Sequence, residues 1–526
     1  MVSFGTLLSR LLGFIRDMVI ARVFGAGGAT DAFFVAFRIP NFLRRLFAEG
    51  SFSLAFVPVF SAYREQGDQR GLKELLDAVT GSLLAVLLLI TGLGVFAAGA
   101  VISVFAPGFL DQPEQFTLAR DLLRITFPYL LLISLTALAG GVLNTMGRFF
   151  VPAVTPVLLN IALISAALLG APYFEQPVTA LAWGVLAAGV AQLLLQIPVL
   201  MRLQLLPRPR WGWAHAGVRR IAKLMLPTLF GSSVAQINLL FDTLLASLLV
   251  SGSVTWLYYA DRLLEFPLGV FGVALATVIL PTLSRRVAAG DRTAEQATLA
   301  WALRWSWLIS VPAAVGLGVL AKALLVSLFA YQAFTPADAG MAAWALTAYA
   351  GGLPAFILIK ALAPAYYARQ DTATPVRIGV MAMLLNMGLN LVFITLLAYY
   401  LSPQPDSGWL EMLAAAPGAH AGLALASAAS AWLNAGLLWR GLKQRQQAPA
   451  AGALSSTLWR VLCAAALMLA ALLLTPASWW PQVADHAGQR VFDLIRLVAL
   501  GAMIYFLALW VLRLPLNLLR SPSAAS

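Results

Sequence analysis

FFVAFRIPNF, residues 33–42, comes back about 223 residues further on as LYYADRLLEF, residues 257–266, with Arg38 set against Arg262. The correspondence continues in the same order. FVPVFSAYR (56–64) answers ILPTLSRRV (279–287), setting Pro58 against Pro281. GRFFVPAVTPVLLN (147–160) answers QDTATPVRIGVMAMLLN (370–386), setting Pro152 against Pro375. Self-similarity at a fixed period marks a chain built from copies of one structural unit.

The medium around those copies follows from composition. Of 526 residues 61% are hydrophobic and 11% charged, and mean hydropathy is +0.85; a soluble domain carries about 25% charged residues. Apolar runs long enough to cross about 30 Å of hydrocarbon as helices recur from end to end. Dividing at Pro, Gly and charge clusters predicts about fourteen spans: roughly 2–25, 30–60, 76–105, 118–146, 151–171, 177–203, 223–250, 254–284, 296–329, 339–367, 373–401, 418–441, 456–475 and 491–514. The first run has no cleavage site followed by a polar mature domain, so it is expected to stay as a helix.

The fold expected is an all-α polytopic membrane protein. Each repeat holds six spans, an even number, so the copies run the same way through the membrane about a pseudo-twofold axis along its normal. The expected domains are an N-terminal lobe (1–203), a cytoplasmic amphipathic linker (204–222), a C-terminal lobe (223–445) and two further helices (446–526). Two six-helix lobes around a central cavity is a transporter architecture with substrate bound between the lobes.

Connectors alternate in charge. SAYREQGDQRGLKE (61–74), RLQLLPRPRWGWAHAGVRRIAK (202–223), SRRVAAGDR (284–292), ARQDTATPVR (368–377) and RGLKQRQQ (440–447) are basic. PGFLDQPEQFT (107–117), APYFEQP (171–177), SGS (251–253), YQAFTPADAG (331–340) and LSPQPDSGWLEM (401–412) contain no Lys or Arg. The positive-inside rule puts the basic set and both termini in the cytoplasm. Within the linker, 208–223 reads as a basic amphipathic helix on the inner leaflet, or equally as an ordinary positive-inside loop.

Charges inside spans cost about 2.5–3.5 kcal/mol each at the bilayer centre even on lenient scales, so they must face protein or water. Span 1 carries Arg10, Arg16, Asp17 and Arg22. Span 2 carries Asp31, Arg38, Arg44, Arg45 and Glu49, and span 8 carries Asp261, Arg262 and Glu265. Arg45 with Glu49, and Asp261 with Glu265, are four apart and share a face. In these three spans Arg outnumbers Asp and Glu by seven to five. A guanidinium excess in a wet cleft selects an anion, and Arg matches phosphate oxygens two at a time, so a diphosphate is the expected guest. The competing interpretation makes these residues structural ion pairs, with Arg45–Glu49 and Arg262–Glu265 satisfied internally.

Other chemistry is poorly represented. Cys463 stands alone and three histidines are scattered, which speaks against disulfide, zinc and haem sites. No G-x-x-x-x-G-K-[ST] loop and no G-x-S-x-G elbow occurs, so neither ATP hydrolysis nor an enzyme is expected. Energy would come from ion gradients, membrane potential or substrate gradients. Spans 13 and 14, outside the repeat and apolar on nearly all sides, could hold a long isoprenoid tail, or equally widen the bundle.

SRLLGFIRDMVIARVFGAGGATDAFFVAFRIPNFLRRLFAEGSFSLAFVPVF, with GSVTWLYYADRLLEFPLGVFGVALATVILPTLS and APAYYARQDTATPV, resembles the MurJ (MviN) family of lipid II flippases, in the multidrug/oligosaccharidyl-lipid/polysaccharide exporter superfamily. The resemblance implies movement of the undecaprenyl-diphosphate-linked peptidoglycan precursor from the inner to the outer leaflet of the bacterial inner membrane by alternating access. It implies that Arg10, Arg16, Arg44 and Arg262 contact the diphosphate. Asp17, Asp31, Arg38, Arg45, Glu49, Asp261 and Glu265 are expected as supporting charges. It also implies a sodium site to which Asp242, Asn386 and Asn390 would belong. No cofactor is expected beyond a monovalent ion, sodium or chloride. Expected partners are lipid II, membrane lipids and the cell-wall synthesis machinery, with no nucleic acid. The alternative is a drug, cation or other lipid-linked oligosaccharide exporter of the same superfamily. A glycosyltransferase on the same lipid and a non-transporting scaffold are the rivals from other classes.

Overall fold

The computed structural model describes residues 2–45 and 52–515, and every regular element among them is a helix. The chain packs as two units: residues 1–255 with Gln332–Phe334, and residues 256–331 with 335–526.

The first unit contains α1 (Val2–Phe24), α2 (Gly28–Arg44), α3 (Ser53–Glu65), α4 (Gln69–Phe96), α5 (Ala98–Phe105), α6 (Pro113–Thr126), α7 (Tyr129–Thr145), α8 (Phe150–Ser165), α9 (Thr179–Arg202) and α10 (Ala216–Ser247). A side-chain cap begins α4. Asp68 accepts from the Arg70 and Gly71 backbone N–H groups at 3.0 Å each to begin α4. Phe56, Phe60, Leu75, Leu143 and Leu200 form the core where α3, α4, α7 and α9 meet. The sequence division counts α10 with the second repeat, but it packs here, against α2, α3, α4 and α5.

The segment ahead of α10 decides between the two readings of 208–223 in favour of an irregular chain over its first part: residues 205–212 are irregular, and helix begins only at Ala216. Pro207 and Pro209 explain this, since proline lacks a donor and pushes its predecessor out of the α region. The segment instead lies along α4. The Arg208 N–H donates to Asp77 Oδ1 (2.7 Å), the Arg210 N–H to the Asp77 carbonyl (3.1 Å), and the Gly212 N–H to Ser82 Oγ (3.3 Å). Lys73 pairs with the same Asp77 carboxylate. A Cβ on Gly81 would run into the Arg210 backbone, and one on Gly212 into Ala78, so both glycines are required by close approach.

The second unit contains most of α11 (Ser253–Pro267), then α12 (Val273–Ala288), α13 (Arg292–Val319), α14 (Ala321–Leu328), α15 (Pro336–Tyr367), α16 (Ala373–Leu401), α17 (Trp409–Ala415), α18 (Ala421–Gln444), α19 (Ala451–Leu473) and α20 (Ala487–Val511). Between α11 and α12, directly after Pro267, one π turn (Leu268–Gly272) keeps the two helices nearly continuous. A capping box between Thr335 and Asp338 starts α15.

Polar ties join the ends of four helices in this unit. Arg369, after α15, grips Glu295 of α13 with contacts of 3.1, 2.8 and 2.6 Å, and Glu295 is buried. Arg445, after α18, bonds Asp371 (2.7 Å) and the Thr374 hydroxyl of α16 (3.2 Å). The helices α19 and α20 pack on each other and on α13 through Leu308, Val311, Met468, Leu472, Leu497 and Tyr505. A separate apolar groove of about 200 Å³ lies between α12, α13 and α15, lined by Phe271, Val278, Trp301, Trp305, Ile309 and Ile357.

Eleven helical stretches among the described residues are long and apolar enough to cross a membrane. Neither α1 nor α2 qualifies, because of the charges in α1 and the shortness of α2, seventeen residues with three of them charged.

Candidate functional site

The charges of α1 and α2 occupy quite different surroundings. Arg10 is exposed on α1. Two turns on, Arg16 is buried, because its side chain leans back along α1 toward α8. Its Nε and Nη2 donate to Asp17 Oδ1 (2.9 and 2.7 Å), and its Nη1 donates to Asn160 Oδ1 (3.1 Å). The amide of Asn160 is fixed in that orientation by donating to the Ser9 carbonyl (3.0 Å). Arg22 is exposed and bonds Gln332 Oε1 at 3.2 Å.

On α2, Asp31 is 2% exposed and fully engaged. It accepts from the Gly252 N–H (2.7 Å), the Thr255 N–H (2.8 Å) and the Thr255 hydroxyl (2.6 Å). This caps the start of α11, where backbone donors have no partner within the helix. Arg38 is seven residues on and so on the same face of α2. It is half-buried, and its Nη1 donates to Thr243 Oγ1 of α10 at 2.8 Å. The Arg44 Nε donates to Asn41 Oδ1 (3.1 Å). Arg45 is exposed beyond the end of α2; Glu49, its expected partner, lies outside the described residues. Asp242 on α10 accepts from the Asn238 amide at 3.3 Å.

In the second unit Arg262 donates to Glu265 Oε2 (2.8 Å), and its guanidinium lies 5.5 Å from the Tyr258 ring centre. Asp261 is half-buried and Glu265 exposed. Asn386 and Asn390 are buried between α16 and α18. The Asn390 amide donates to Asn386 Oδ1 (3.0 Å), and the Asn386 amide to Ser427 Oγ (3.3 Å) and Ser430 Oγ (3.4 Å). That cluster presents only amide and hydroxyl oxygens, a donor set suited to a hard monovalent cation. No group of three or more His, Cys, Asp or Glu that could hold a metal occurs among the described residues.

The structure thus brings together Arg16 with Asp17, Arg262 with Glu265, and Asn386 with Asn390. Three neutral partners escaped the sequence analysis: Asn160, Thr243 and Thr255. None of the three stood out in the sequence: in the register that sets Pro152 against Pro375, Asn160 falls opposite Met383.

A family model described as "Lipid II flippase MurJ" matches residues 20–498. The "Probable lipid II flippase MurJ" of Vibrio cholerae is 44% identical over 99% of this chain and 96% of its own length. The "Lipid II flippase MurJ" of Burkholderia cenocepacia is 41% identical over 97% of this chain and 96% of its own. A solved structure described as "Lipid II flippase MurJ, inward closed conformation" superposes with a TM-score of 0.77 at 26% identity, covering 99% of both chains. An inward-facing multidrug transporter of the MATE family shares the fold alone, with a TM-score of 0.63 at 15% identity over 84% of this chain and 95% of its own.

Proposed function

The chain belongs to the lipid II flippase MurJ family, and from that premise we propose that it carries lipid II from the inner to the outer leaflet of the bacterial inner membrane. Members of this family are transporters rather than catalysts, and the many apolar helices fit a multi-pass inner-membrane protein. The observation that carries the proposal is the set of arginines in α1 and α2, with Arg262 in α11 of the second repeat, in a chain related to lipid II flippases over 99% of its length.

In this reading fourteen spans form two six-helix lobes, 1–203 and 223–445, around a central cavity, joined by the linker 204–222. Both termini are cytoplasmic. Arg10, Arg16, Arg44 and Arg262 bind the diphosphate of the head group. The fork geometry of guanidinium suits that linkage, because two N–H groups meet two phosphate oxygens at once. The undecaprenyl tail stays in lipid, beside the last two helices (446–526) and the groove lined by Trp301 and Trp305. Rocking of the lobes then presents the head group to the far side, where dispersal of the guanidinium groups lowers affinity and releases it. Transport requires that difference in affinity between the two states.

Two further assignments rest on the resemblance. The oxygens of Asn386 and Asn390 take part with Asp242 in holding sodium, and the cell-wall synthesis machinery receives the product.

The test is head-group exposure on the outer face of cells depleted of their own flippase and complemented with Arg16→Ala or Arg262→Ala. Arg262→Ala is expected to accumulate at wild-type levels and to lose outward exposure; Arg16→Ala, which strands the buried Asp17, is expected to lose exposure per molecule of folded protein. Normal growth with normal exposure in both overturns the assignment of these guanidinium groups to the diphosphate.

A further inference from the structure

We infer that Arg38 is a further contact for the substrate diphosphate and that Thr243 is the positioning residue that aims it. The inference rests on the proposed flippase reading and extends its binding site beyond the four arginines named there.

Three independent observations converge. The first is the repeat register. Arg38 holds in FFVAFRIPNF the place that Arg262 holds in LYYADRLLEF. In a chain built from two copies of one unit, Arg38 and Arg262 occupy equivalent places, and the proposed diphosphate role of Arg262 extends to its counterpart.

The second is the state of its charge. Two of the other candidate cations are partly cancelled: Arg16 is pinned to Asp17, and Arg262 to Glu265. Arg38 has one side-chain hydrogen bond among the described residues, to the neutral oxygen of Thr243. The carboxylate on its own helix face, Asp31, has its oxygens turned to the Gly252 and Thr255 donors. A neutral acceptor fixes a guanidinium without neutralising it, and Asp31, whose oxygens are committed to other donors, acts on Arg38 only through space, so much of the positive charge stays available to an anion.

The third is the geometry of the tie. The Thr243 hydroxyl donates its hydrogen to the Leu239 carbonyl one turn back, at 2.7 Å, so the lone pair facing Arg38 is fixed. Thr243 is 1% exposed, while Arg38 is half-buried. Only Nη1 is engaged. The Nε and Nη2 hydrogens, which form the edge that meets two phosphate oxygens in parallel, remain uncommitted.

The experiment uses the full-length chain in lipid nanodiscs, with binding measured for lipid II and for undecaprenyl monophosphate. Arg38→Ala is expected to weaken lipid II binding by about tenfold to a hundredfold, the usual range for losing hydrogen bonds to a charged group. Arg38→Lys should recover only part, because it restores the charge without the fork. Thr243→Val, nearly the same shape without an acceptor, should weaken lipid II binding about fivefold, and Thr243→Ser should restore it. In the Arg38→Ala background, adding Thr243→Val should change nothing further, which separates aiming from general damage. The monophosphate should lose less than lipid II in every variant. Arg38→Gln, neutral but still polar and unbranched, provides a second variant in case Arg38→Ala does not fold. Wild-type lipid II affinity in Arg38→Ala and Arg38→Gln overturns the inference. So does a Thr243→Val penalty of equal size with and without Arg38. Failure of the wild-type chain to bind lipid II sinks the flippase reading and this inference together; binding that ignores Arg38 sinks this inference alone.

Discussion

Replacing Asp31 by Asn should cost fold stability rather than substrate affinity. The carboxylate is 2% exposed and satisfies three donors at the start of α11, two of them backbone N–H groups. An asparagine can turn its carbonyl to the Thr255 N–H and hydroxyl, which forces its amide nitrogen against the Gly252 N–H. One buried donor is then orphaned, at about 1–3 kcal/mol, and the surviving bonds lose their charge assistance, about 1 kcal/mol more. The expected loss is about 2–4 kcal/mol, and Asp31→Ala, which abandons all three donors, should lose about 3–5 kcal/mol. Thr255→Val, which removes only the hydroxyl, should cost about 1 kcal/mol alone and less than that in the Asp31→Ala background. The assay is equilibrium unfolding of purified protein in mixed micelles, paired with lipid II binding normalised to folded protein. The folded fraction of Asp31→Asn should bind within about twofold of wild type, because this carboxylate is already committed to backbone donors. A variant as stable as wild type but about tenfold weaker in binding would refute the capping argument.

Two further outcomes can be measured the same way. In a double-mutant cycle at Glu295 and Arg369, the single alanine variants should each lose about 2–4 kcal/mol and the double variant little more than either, because removing one partner strands the other; additive losses would show that the three contacts contribute nothing jointly. Near Asp371, the Thr374 backbone N–H, the Arg445 guanidinium and the Thr374 hydroxyl hold the carboxyl at about 2, below its usual 3.8. A carboxyl depressed in the folded state stabilises above its unfolded value and loses that contribution as pH falls through the folded one. Wild type should therefore exceed Asp371→Asn by about 1 kcal/mol near neutrality, a figure reduced for the exposure of Arg445, and the gap should close between about pH 4 and pH 2. A gap unchanged at pH 2 would contradict the cause assigned here.

The membrane-spanning character, the repeat and the family were legible in the sequence, because each depends on patterns running along the chain: apolar runs, conserved spacing and punctuating prolines. Arg262 with Glu265 was legible for the same reason, since three residues apart on a helix is a local relation. Arg16 and Asn160, 144 residues apart, and Asp31 and Thr255, 224 apart, meet only through packing, and no periodicity announces them. Over 208–223 the sequence left a helix and a loop equally open, and a local signal separates them. The segment's charges and tryptophans fit an amphipathic helix, but Pro207 and Pro209 decide the backbone. The placement of α10 with the first unit was hidden as well, because a repeat boundary records how a gene was copied and not which helices later pack together.

The segment 205–212, threaded against α4 by Asp77, Ser82 and two glycines, bears on how such a chain can be re-engineered. A joint between two copies looks like the natural place to split a gene, insert a reporter or start a permuted version. Here that joint is fitted carpentry: lengthening or severing it would pull a backbone out of its groove and leave Asp77 facing an empty slot. The turn at 402–408, exposed along most of its length, is the better door through which to add sequence.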